Sequence, residues 1–141
     1  KVLQGEYFTE EARQSIGTVK DLYVYTRAGS GLATSLLIAG SEASVKIEGP
    51  QVIRQVLAAA RITLSDGDFI GTRSLLPSAF ICFEKTKDTS GELVSIKICG
   101  GGYGHGAGLS QRGVRGMVEQ GYSYEEILAH YYEGTTLTDE R

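Results

Sequence analysis

The sequence has little of several features that identify particular protein classes. Its 141 residues contain no tryptophan, 2 prolines and 2 cysteines, and 17 acidic against 14 basic side chains leave a formal charge of -3. This mild acidity argues against a nucleic-acid partner, because proteins that bind nucleic acids normally present a basic face. No apolar run approaches the roughly 18 residues of a membrane span, and the first residues lack a signal-peptide pattern. We therefore expect a soluble chain without a membrane span.

Enough of the sequence is apolar to form a hydrophobic core. Hydrophobic residues make up 41% and charged residues 22%, a balance that argues against disorder, a collagen-like repeat or a coiled coil. No internal repeat or low-complexity linker interrupts it, so we predict a single domain over residues 1–141. The first residue is Lys1 rather than Met, from which we expect a piece of a longer protein.

The order of the hydrophobic patterns predicts an α+β fold with a largely antiparallel sheet and a few short helices, two of them C-terminal. A hairpin is predicted from Asp21 to Ala28 and from Leu32 to Ala39, with a further strand from Ala43 to Glu48. A short helix is expected from Phe8 to Ile16, with Thr9 as its N-cap.

Another helix is predicted to begin at Gly49 and Pro50 and to end near Ala60. Its apolar residues are expected on one side: Val52, Ile53, Val56 and Leu57. A short strand is predicted from Arg61 to Leu64, whereas the segment from Phe69 to Leu76 has no clear pattern.

A second hairpin is predicted from Ser78 to Glu84 and from Leu93 to Cys99. A turn centred on Ser90 and Gly91 gives three facing pairs: Phe83 with Ile98, Glu84 with Lys97, and Cys82 with Cys99. The two cysteines then have three interpretations, namely buried free thiols, a cross-strand disulfide, or metal ligands.

The C-terminal part is predicted to be two helices. Gly121 ends the first, Ser123 and Glu126 form a capping box at the start of the second, and Gly134 ends it. Each helix has an apolar stripe: Leu109, Val114, Met117 and Val118 in the first, and Tyr124, Ile127, Leu128 and Tyr131 in the second. Gly113 and Gly116 leave a bare side on the first helix.

Glycine is concentrated in one short segment. Six of the residues from Gly100 to Gly108 are glycines, and His105 stands among them. Such a backbone permits positive φ and lets a ligand approach the peptide groups. A flexible loop with a surface histidine is the alternative, and the helix start that follows favours a binding site.

Three motif interpretations of this segment are weaker. Gly102, Gly104 and Ala107 satisfy the dinucleotide pattern G-x-G-x-x-G/A, but a second helix follows where a parallel strand is required. No Gly-Lys-Ser/Thr follows the glycines, which excludes a P-loop, and Ser110 lacks the glycine that a nucleophile elbow needs. His105 and His130 are far apart and the cysteines are not in C-x-x-C spacing, so no metal and no cofactor are predicted.

The segment and the helices after it resemble the C-terminal signature of the SpoIID/LytB family, which comprises stage II sporulation protein D and the amidase enhancers. The similarity lies in Gly102-Tyr103-Gly104-His105-Gly106-Ala107-Gly108-Leu109-Ser110-Gln111-Arg112-Gly113, then Met117, Gly121 to Leu128, and His130 to Thr135. Weaker similarity covers the hairpin from Asp21 to Ala39 and the helix from Gly49 to Leu57.

The resemblance implies peptidoglycan chemistry outside the cytoplasm, in the cell wall or at the forespore septum, and allows a membrane anchor in the full-length protein. Sporulation members of the family are lytic transglycosylases, which cleave between N-acetylmuramic acid and N-acetylglucosamine and close a 1,6-anhydro ring. One carboxyl group suffices: it protonates the leaving oxygen and then accepts the proton of the 6-hydroxyl.

The sequence departs from the family at this carboxyl group. The family's glutamate lies in a motif of the type P-x-E-A-L-K-A-Q-A-V-A-A-R-T-Y, which these residues do not contain; Glu6, Glu10 and Glu11 do not match it. The catalytic acid is therefore unknown, with His105 in a supporting role. The resemblance implies six substrate-binding residues: Tyr103, Gly104, His105, Gly106, Ser110 and Gln111.

Two functions follow as hypotheses. The chain is part of a lytic transglycosylase, to which it contributes a wall of the glycan cleft, or it is a non-catalytic peptidoglycan-binding module that stimulates a cell-wall amidase. Both predict glycan strands of peptidoglycan as the partner.

Overall fold

The structure is a computed structural model and describes residues 2–4, 7–9, 15–59, 61–71 and 74–138. The strands are β1 Val2–Gln4, β2 Tyr7–Thr9, β3 Val19–Arg27, β4 Ala33–Gly40, β5 Ser44–Glu48, β6 Ile62–Thr63, β7 Phe69–Ile70, β8 Phe80–Lys87 and β9 Leu93–Gly101. The helices are α1 Pro50–Val56, α2 Gln111–Glu119 and α3 Tyr124–Tyr131.

The strands form three antiparallel sheets. The largest has the order β2-β1-β5-β4-β3, and the pairs β6-β7 and β8-β9 form the other two. With two of the three helices at the C-terminus, the predicted α+β class is confirmed. The chain divides into two compact units, unit 1 over residues 1–106 and unit 2 over residues 107–141; the single domain over 1–141 stays a prediction.

The two predicted hairpins are confirmed, and their turns are alike. In each turn a glycine with positive φ donates its N–H to the carbonyl three residues before it: Gly31 to Ala28 at 2.8 Å, and Gly91 to Asp88 at 3.0 Å. A left-handed residue at this position matches the twist of the flanking strands, and glycine takes it at least cost. Asp88 adds a side-chain acceptor for the N–H groups of Ser90 and Glu92.

The predicted register of the second hairpin is also confirmed, since Cys82 faces Cys99, Phe83 faces Ile98 and Glu84 faces Lys97. The hairpin is joined to the large sheet by backbone and side-chain contacts. Ala33 donates its N–H to the carbonyl of Ala79 at 3.0 Å, and Arg27 donates from Nη2 to the carbonyl of Ile81 at 2.7 Å.

A single hydrophobic core lies between these elements of unit 1. Leu36 of β4 and Ile53 of α1 are completely buried. The rest of the core comes from both hairpins and from the segment before β8: Leu22, Leu32, Ala33, Leu76, Ala79 and Ile81. Burial of these side chains is the main favourable contribution to the stability of the unit.

Helix α1 is shorter than predicted, and a different face of it is buried. Val52 and Val56 are 44% and 47% exposed, whereas Ile53 and Arg54 are buried. The helix ends at Val56 rather than near residue 60 because the carbonyl of Arg54 accepts from the N–H of Leu76 at 2.9 Å. Ala58 donates to Gln55 instead, so the next α-helical hydrogen bond does not form.

The helix predicted from Phe8 to Ile16 is wrong at its start, because Phe8 and Thr9 belong to β2, which pairs with β1. Residues 10–14 lie outside the described residues. Strand pairing overrides the local helical pattern here: β2 pairs with the preceding strand β1, which in turn joins the sheet by pairing with β5.

Both helices of unit 2 begin at a serine cap, and the capping box predicted for the second is confirmed. Ser110 caps α2, and Ser123 and Glu126 form the reciprocal capping box of α3. The predicted stripes are only partly buried, since Ile127 is 5% exposed whereas Val118 and Tyr124 are 58% and 66% exposed. Two short helices cover too little surface to bury both stripes. None of the helices in the described part of the chain is long and apolar enough to cross a membrane.

Candidate functional site

The glycines of the segment from Gly100 to Gly108 are required by the path of the backbone. A Cβ atom on Gly100 would lie 2.4 Å from the carbonyl oxygen of Phe80 on the paired strand β8. After β9 ends, every second residue has a positive φ: 79° at Gly102, 133° at Gly104, 78° at Gly106 and 70° at Gly108. Other residues are strained in this region, so the glycine content has a structural cause.

The first part of the segment is fixed to the rest of unit 1. Gly104 donates its N–H to the carbonyl of Pro77 at 2.9 Å. A Cβ atom on Gly106 would lie 2.9 Å from Cδ1 of the core residue Leu32. The segment thus rests on the loop before β8 and on the core.

Tyr103 and His105 stand between these glycines and are exposed. The Tyr103 side chain is 74% exposed, and His105 is likewise classed as exposed. Because their glycine neighbours carry no side chains, both rings are accessible to a ligand that lies along the backbone. The structure therefore brings four predicted site residues together in one short segment of unit 1.

Tyr103 also lines a cavity of about 240 Å³ that the sequence did not predict. The other lining residues are Arg54, Ser74, Leu75 and Pro77. The same loop, residues 74–78, supplies the carbonyl that holds Gly104 and the backbone groups that hold Arg54. The cavity thus lies beside Tyr103 and Gly104, in the first part of the glycine-rich segment, and we call it the Tyr103 cavity.

The guanidinium of Arg54 is fixed in the wall of this cavity. Only 8% of the residue is exposed. Its Nε donates to the carbonyl of Leu76 at 2.7 Å, and its Nη1 donates to Oε1 of Gln51 at 3.1 Å. The carbonyl of Arg54 in turn accepts from the N–H of Leu76, so side chain and backbone hold the loop together.

Sequence reasoning missed Arg54 and the loop because neither forms a recognisable motif. The segment from Phe69 to Leu76 has no periodicity, and Arg54 lies inside an apolar pattern that is typical of packing. One signal was available: a charged residue directly after Ile53, which is among the predicted buried residues. Charged side chains are seldom buried without a specific reason.

The remaining predicted site residues, Ser110 and Gln111, lie in unit 2. The Ser110 hydroxyl accepts from the N–H of Gly113 at 3.1 Å and caps α2. Gln111 is the first residue of that helix and is exposed. A Cβ atom on Gly113 would lie 1.9 Å from the hydroxyl of Tyr131, so the bare side of α2 faces a side chain of α3.

Several carboxyl groups have displaced pKa values, in the direction opposite to that of a general acid. Lys85 lowers the pKa of Asp21, and Lys97 lowers the pKa of Glu84. A hydrogen bond from Ser90 lowers the pKa of Asp88, and a hydrogen bond from its own backbone N–H lowers the pKa of Glu125. A carboxyl group that donates a proton near neutral pH needs a raised pKa instead. None of these four carboxyl groups is therefore assigned as the catalytic acid that the family resemblance implies.

The cysteines are free thiols, with Cys82 exposed and Cys99 half-buried, so the expectation that free thiols would be buried is wrong for Cys82. Cys99 donates from Sγ to Oε1 of Glu84 at 3.4 Å. Burial, followed by the Glu84 carboxylate, raises the pKa of the Cys99 thiol, which makes it a weaker nucleophile at neutral pH. Among the described residues, no three His, Cys, Asp or Glu side chains are grouped to hold a metal ion.

The part of the chain that contains the Tyr103 cavity matches a protein family. Residues 2–108 match the family "Domain of unknown function (DUF8618)". The chain belongs to this family. Its matched region ends at Gly108, so the glycine-rich segment is its last part.

Curated relatives confirm the predicted resemblance to the SpoIID/LytB family. The chain is 54% identical over 52 residues to "Amidase enhancer" of Bacillus subtilis (strain 168), which is 37% of this chain and 7% of that protein. It is 44% identical over 45 residues to "Stage II sporulation protein D" of Bacillus amyloliquefaciens, 32% of this chain and 13% of that protein.

A longer match is to "Stage II sporulation protein D" of Bacillus subtilis (strain 168), with 33% identity over 102 residues. It covers 71% of this chain and 28% of that protein. The chain thus spans less than a third of the length of each of these relatives. No solved structure matches it significantly.

Proposed function

We propose that this chain supplies a glycan-binding wall of a SpoIID-like peptidoglycan lytic transglycosylase. The observation that carries the proposal is the exposed Tyr103 ring beside the cavity, on a backbone that its glycines leave accessible. The names of the relatives support a role related to sporulation and the cell wall. Because the substrate is peptidoglycan, the site of action is outside the cytoplasm.

The chemistry of the segment suits a sugar polymer. An aromatic ring covers the apolar C–H face of a sugar, while the phenol hydroxyl remains available for a hydrogen bond. Backbone N–H and C=O groups between glycines are donors and acceptors for sugar hydroxyls and acetamido groups. The imidazole of His105 adds two ring nitrogens that form hydrogen bonds with sugar hydroxyls.

In the proposed reaction His105 acts through another residue. A glutamate from outside these 141 residues protonates the leaving glycosidic oxygen and then accepts the proton of the 6-hydroxyl as the anhydro ring closes. An imidazole within hydrogen-bond distance of that carboxyl group orients it and tunes its pKa. His105 is therefore a positioning residue in this proposal, and the glycan-contacting residue is Tyr103.

A second candidate function is a non-catalytic module that stimulates a cell-wall amidase. The observation in its favour is the 54% identity to a protein named amidase enhancer. In this alternative the Tyr103 cavity holds the glycan strand while the amidase acts on it.

Binding of denuded glycan strands, from which the peptides have been removed, tests what both functions share. We expect wild-type protein to sediment with insoluble strands and Tyr103→Ala to bind about tenfold more weakly, because loss of an aromatic contact costs roughly 1–3 kcal/mol. The matched control is Tyr124→Ala, which removes a similarly exposed tyrosine from α3. Equal binding by the Tyr103 variant would contradict the proposed surface.

The reaction itself separates the two candidates. The complete natural protein that carries these residues is incubated with denuded strands, and the products are analysed by mass spectrometry. Formation of 1,6-anhydro ends supports the transglycosylase. Loss of the pH optimum of this reaction in His105→Gln supports the positioning role of His105. Strand binding without anhydro ends, together with faster peptide release from intact peptidoglycan by an added amidase, supports the alternative.

A further inference from the structure

The buried guanidinium of Arg54 lacks an anionic partner among the described residues. Both of its acceptors, the Leu76 carbonyl and the Gln51 amide, are neutral. The ion pairs of this part of the chain involve other cations: Lys20, Lys46, Lys85, Lys97 and Arg115. An arginine side chain remains charged at any physiological pH, and buried charges are normally paired.

The cavity offers space for an anionic group that pairs with the guanidinium of Arg54. Arg54 lines it together with Tyr103 and Ser74, and Leu75 and Pro77 add apolar surface. Of the five N–H donors of the guanidinium, the two hydrogen bonds above use two. The planar fork that remains has the geometry of a bidentate contact to a carboxylate.

We infer that the Tyr103 cavity is a carboxylate-binding subsite, in which Arg54 binds the acid group of a sugar whose ring lies against Tyr103. This inference rests on the proposed function and names the part of the glycan that the site recognises. In glycan strands from which the peptides have been removed, the carboxylate carried by the sugar itself is the lactyl group of N-acetylmuramic acid.

The size of the cavity favours a single sugar acid. At about 240 Å³ it is smaller than the roughly 300–1,000 Å³ of sites that take drug-sized ligands. One lactyl-substituted ring places its methyl group and C–H face against Leu75, Pro77 and Tyr103. Arg54 is already oriented by Leu76 and Gln51, so binding requires little further ordering of its side chain.

The test compares two probes that differ in charge and by one methyl group. Wild-type protein is titrated with N-acetylmuramic acid and with its methyl ester, and N-acetylglucosamine is the reference without the lactyl group. We expect the acid to bind at least about tenfold more tightly than the ester, which corresponds to one charge-assisted contact. Nitrogen-15 NMR of the arginine side chains is expected to show a shift of the Arg54 Nε signal with the acid and not with the ester.

Variants test the residue itself. Arg54→Gln is expected to abolish the preference for the acid, whereas Arg115→Gln, at an exposed arginine of α2, leaves it unchanged. If Arg54→Gln does not fold because the contact to Leu76 is lost, two measurements on the wild-type protein test the inference. These are the ratio of its affinities for the acid and the ester, and the response of its Arg54 Nε signal to the acid. Equal binding of acid and ester, or an Arg54 signal that does not respond to the acid, overturns the inference.

Failure of this inference is distinguishable from failure of the proposed function. If denuded strands and chitin oligosaccharides bind equally well through Tyr103, the carboxylate subsite is wrong and the glycan-binding wall stands. If neither binds, both are wrong. Tighter binding of the strands than of chitin oligosaccharides, with the difference lost in Arg54→Gln, supports both.

Discussion

Different interactions stabilise each of the two units of this chain. Unit 1 has a core drawn from both hairpins, α1 and the loop before β8, with Leu36 and Ile53 completely buried. In unit 2, Ile127 is the one buried side chain among the described residues, and both helices begin at serine caps. Contacts distant in sequence thus define the first unit, whereas local hydrogen bonds define the elements of the second.

This difference bears on where a binding site is built. The Tyr103 cavity lies wholly in unit 1, where its lining residues 54, 74, 75, 77 and 103 meet only because the core brings them together. Rigid packing around Arg54 and Gly104 fixes the positions of the groups that face the cavity. Ser110 and Gln111, in unit 2, are already engaged in or beside a helix cap.

The largest effect is expected from Ile53→Ala, which tests the core of unit 1. Removing a completely buried side chain costs about 2–5 kcal/mol of the free energy of unfolding, from lost burial and the cavity left behind. The control is Val52→Ala on the same helix, where 44% exposure predicts a loss well below this range. Urea unfolding followed by circular dichroism measures both, and similar losses would contradict the assigned face of α1.

A smaller effect is expected from Gly100→Ala at the end of β9. The new Cβ would lie 2.4 Å from the Phe80 carbonyl, and a paired strand cannot move without losing hydrogen bonds, so we expect a loss of about 1–3 kcal/mol. Gly101→Ala is the matched control, since nothing lies within 4 Å of its Cβ position. Equal effects of Gly100→Ala and Gly101→Ala on urea unfolding would contradict the close approach of the Phe80 carbonyl to Gly100.

Ser123→Ala tests the local character of unit 2. Loss of the cap is expected to destabilise α3 by about 1 kcal/mol, seen as faster amide hydrogen exchange in residues 124–131. Ser95→Ala, at an exposed strand position, serves as control. Unchanged exchange in α3 would mean that packing, and not the capping box, limits the opening of this helix.

The smallest effect is expected from the ion pair between Asp21 of β3 and Lys85 of β8. Because Lys85 lowers the pKa of Asp21 in the folded protein, the pair stabilises the fold above the unfolded pKa of about 3.9. That stability is lost as the pH falls through the lowered pKa. Both side chains are partly exposed, so we expect less than about 1 kcal/mol.

Measurement of this effect compares wild-type protein with Asp21→Asn by urea unfolding between pH 6 and pH 2. The difference in stability is expected to be constant near pH 6 and to shrink below about pH 4. A difference that stays the same at every pH would show that Asp21 acts without its charge.

The sequence by itself determined the elements that depend on neighbouring residues. The capping box at Ser123, the turn at Asp88 to Gly91 and the register of Cys82 with Cys99 follow from hydrogen bonds and side-chain alternation within a few residues or across one short turn. The resemblance to SpoIID proteins likewise depended on a contiguous run of letters. All of these are local in sequence.

Only the tertiary structure decided which face of α1 is buried, where that helix ends, and that Arg54 meets Tyr103 beside a cavity. Each depends on a partner distant in sequence: Leu76 takes the carbonyl of Arg54, and Pro77 holds Gly104. The strand at Phe8 and Thr9 depends on the sheet as a whole, because its partner β1 is itself paired with the distant strand β5. Local propensities are worth tenths of a kcal/mol per residue, whereas burial and pairing of whole elements are worth several.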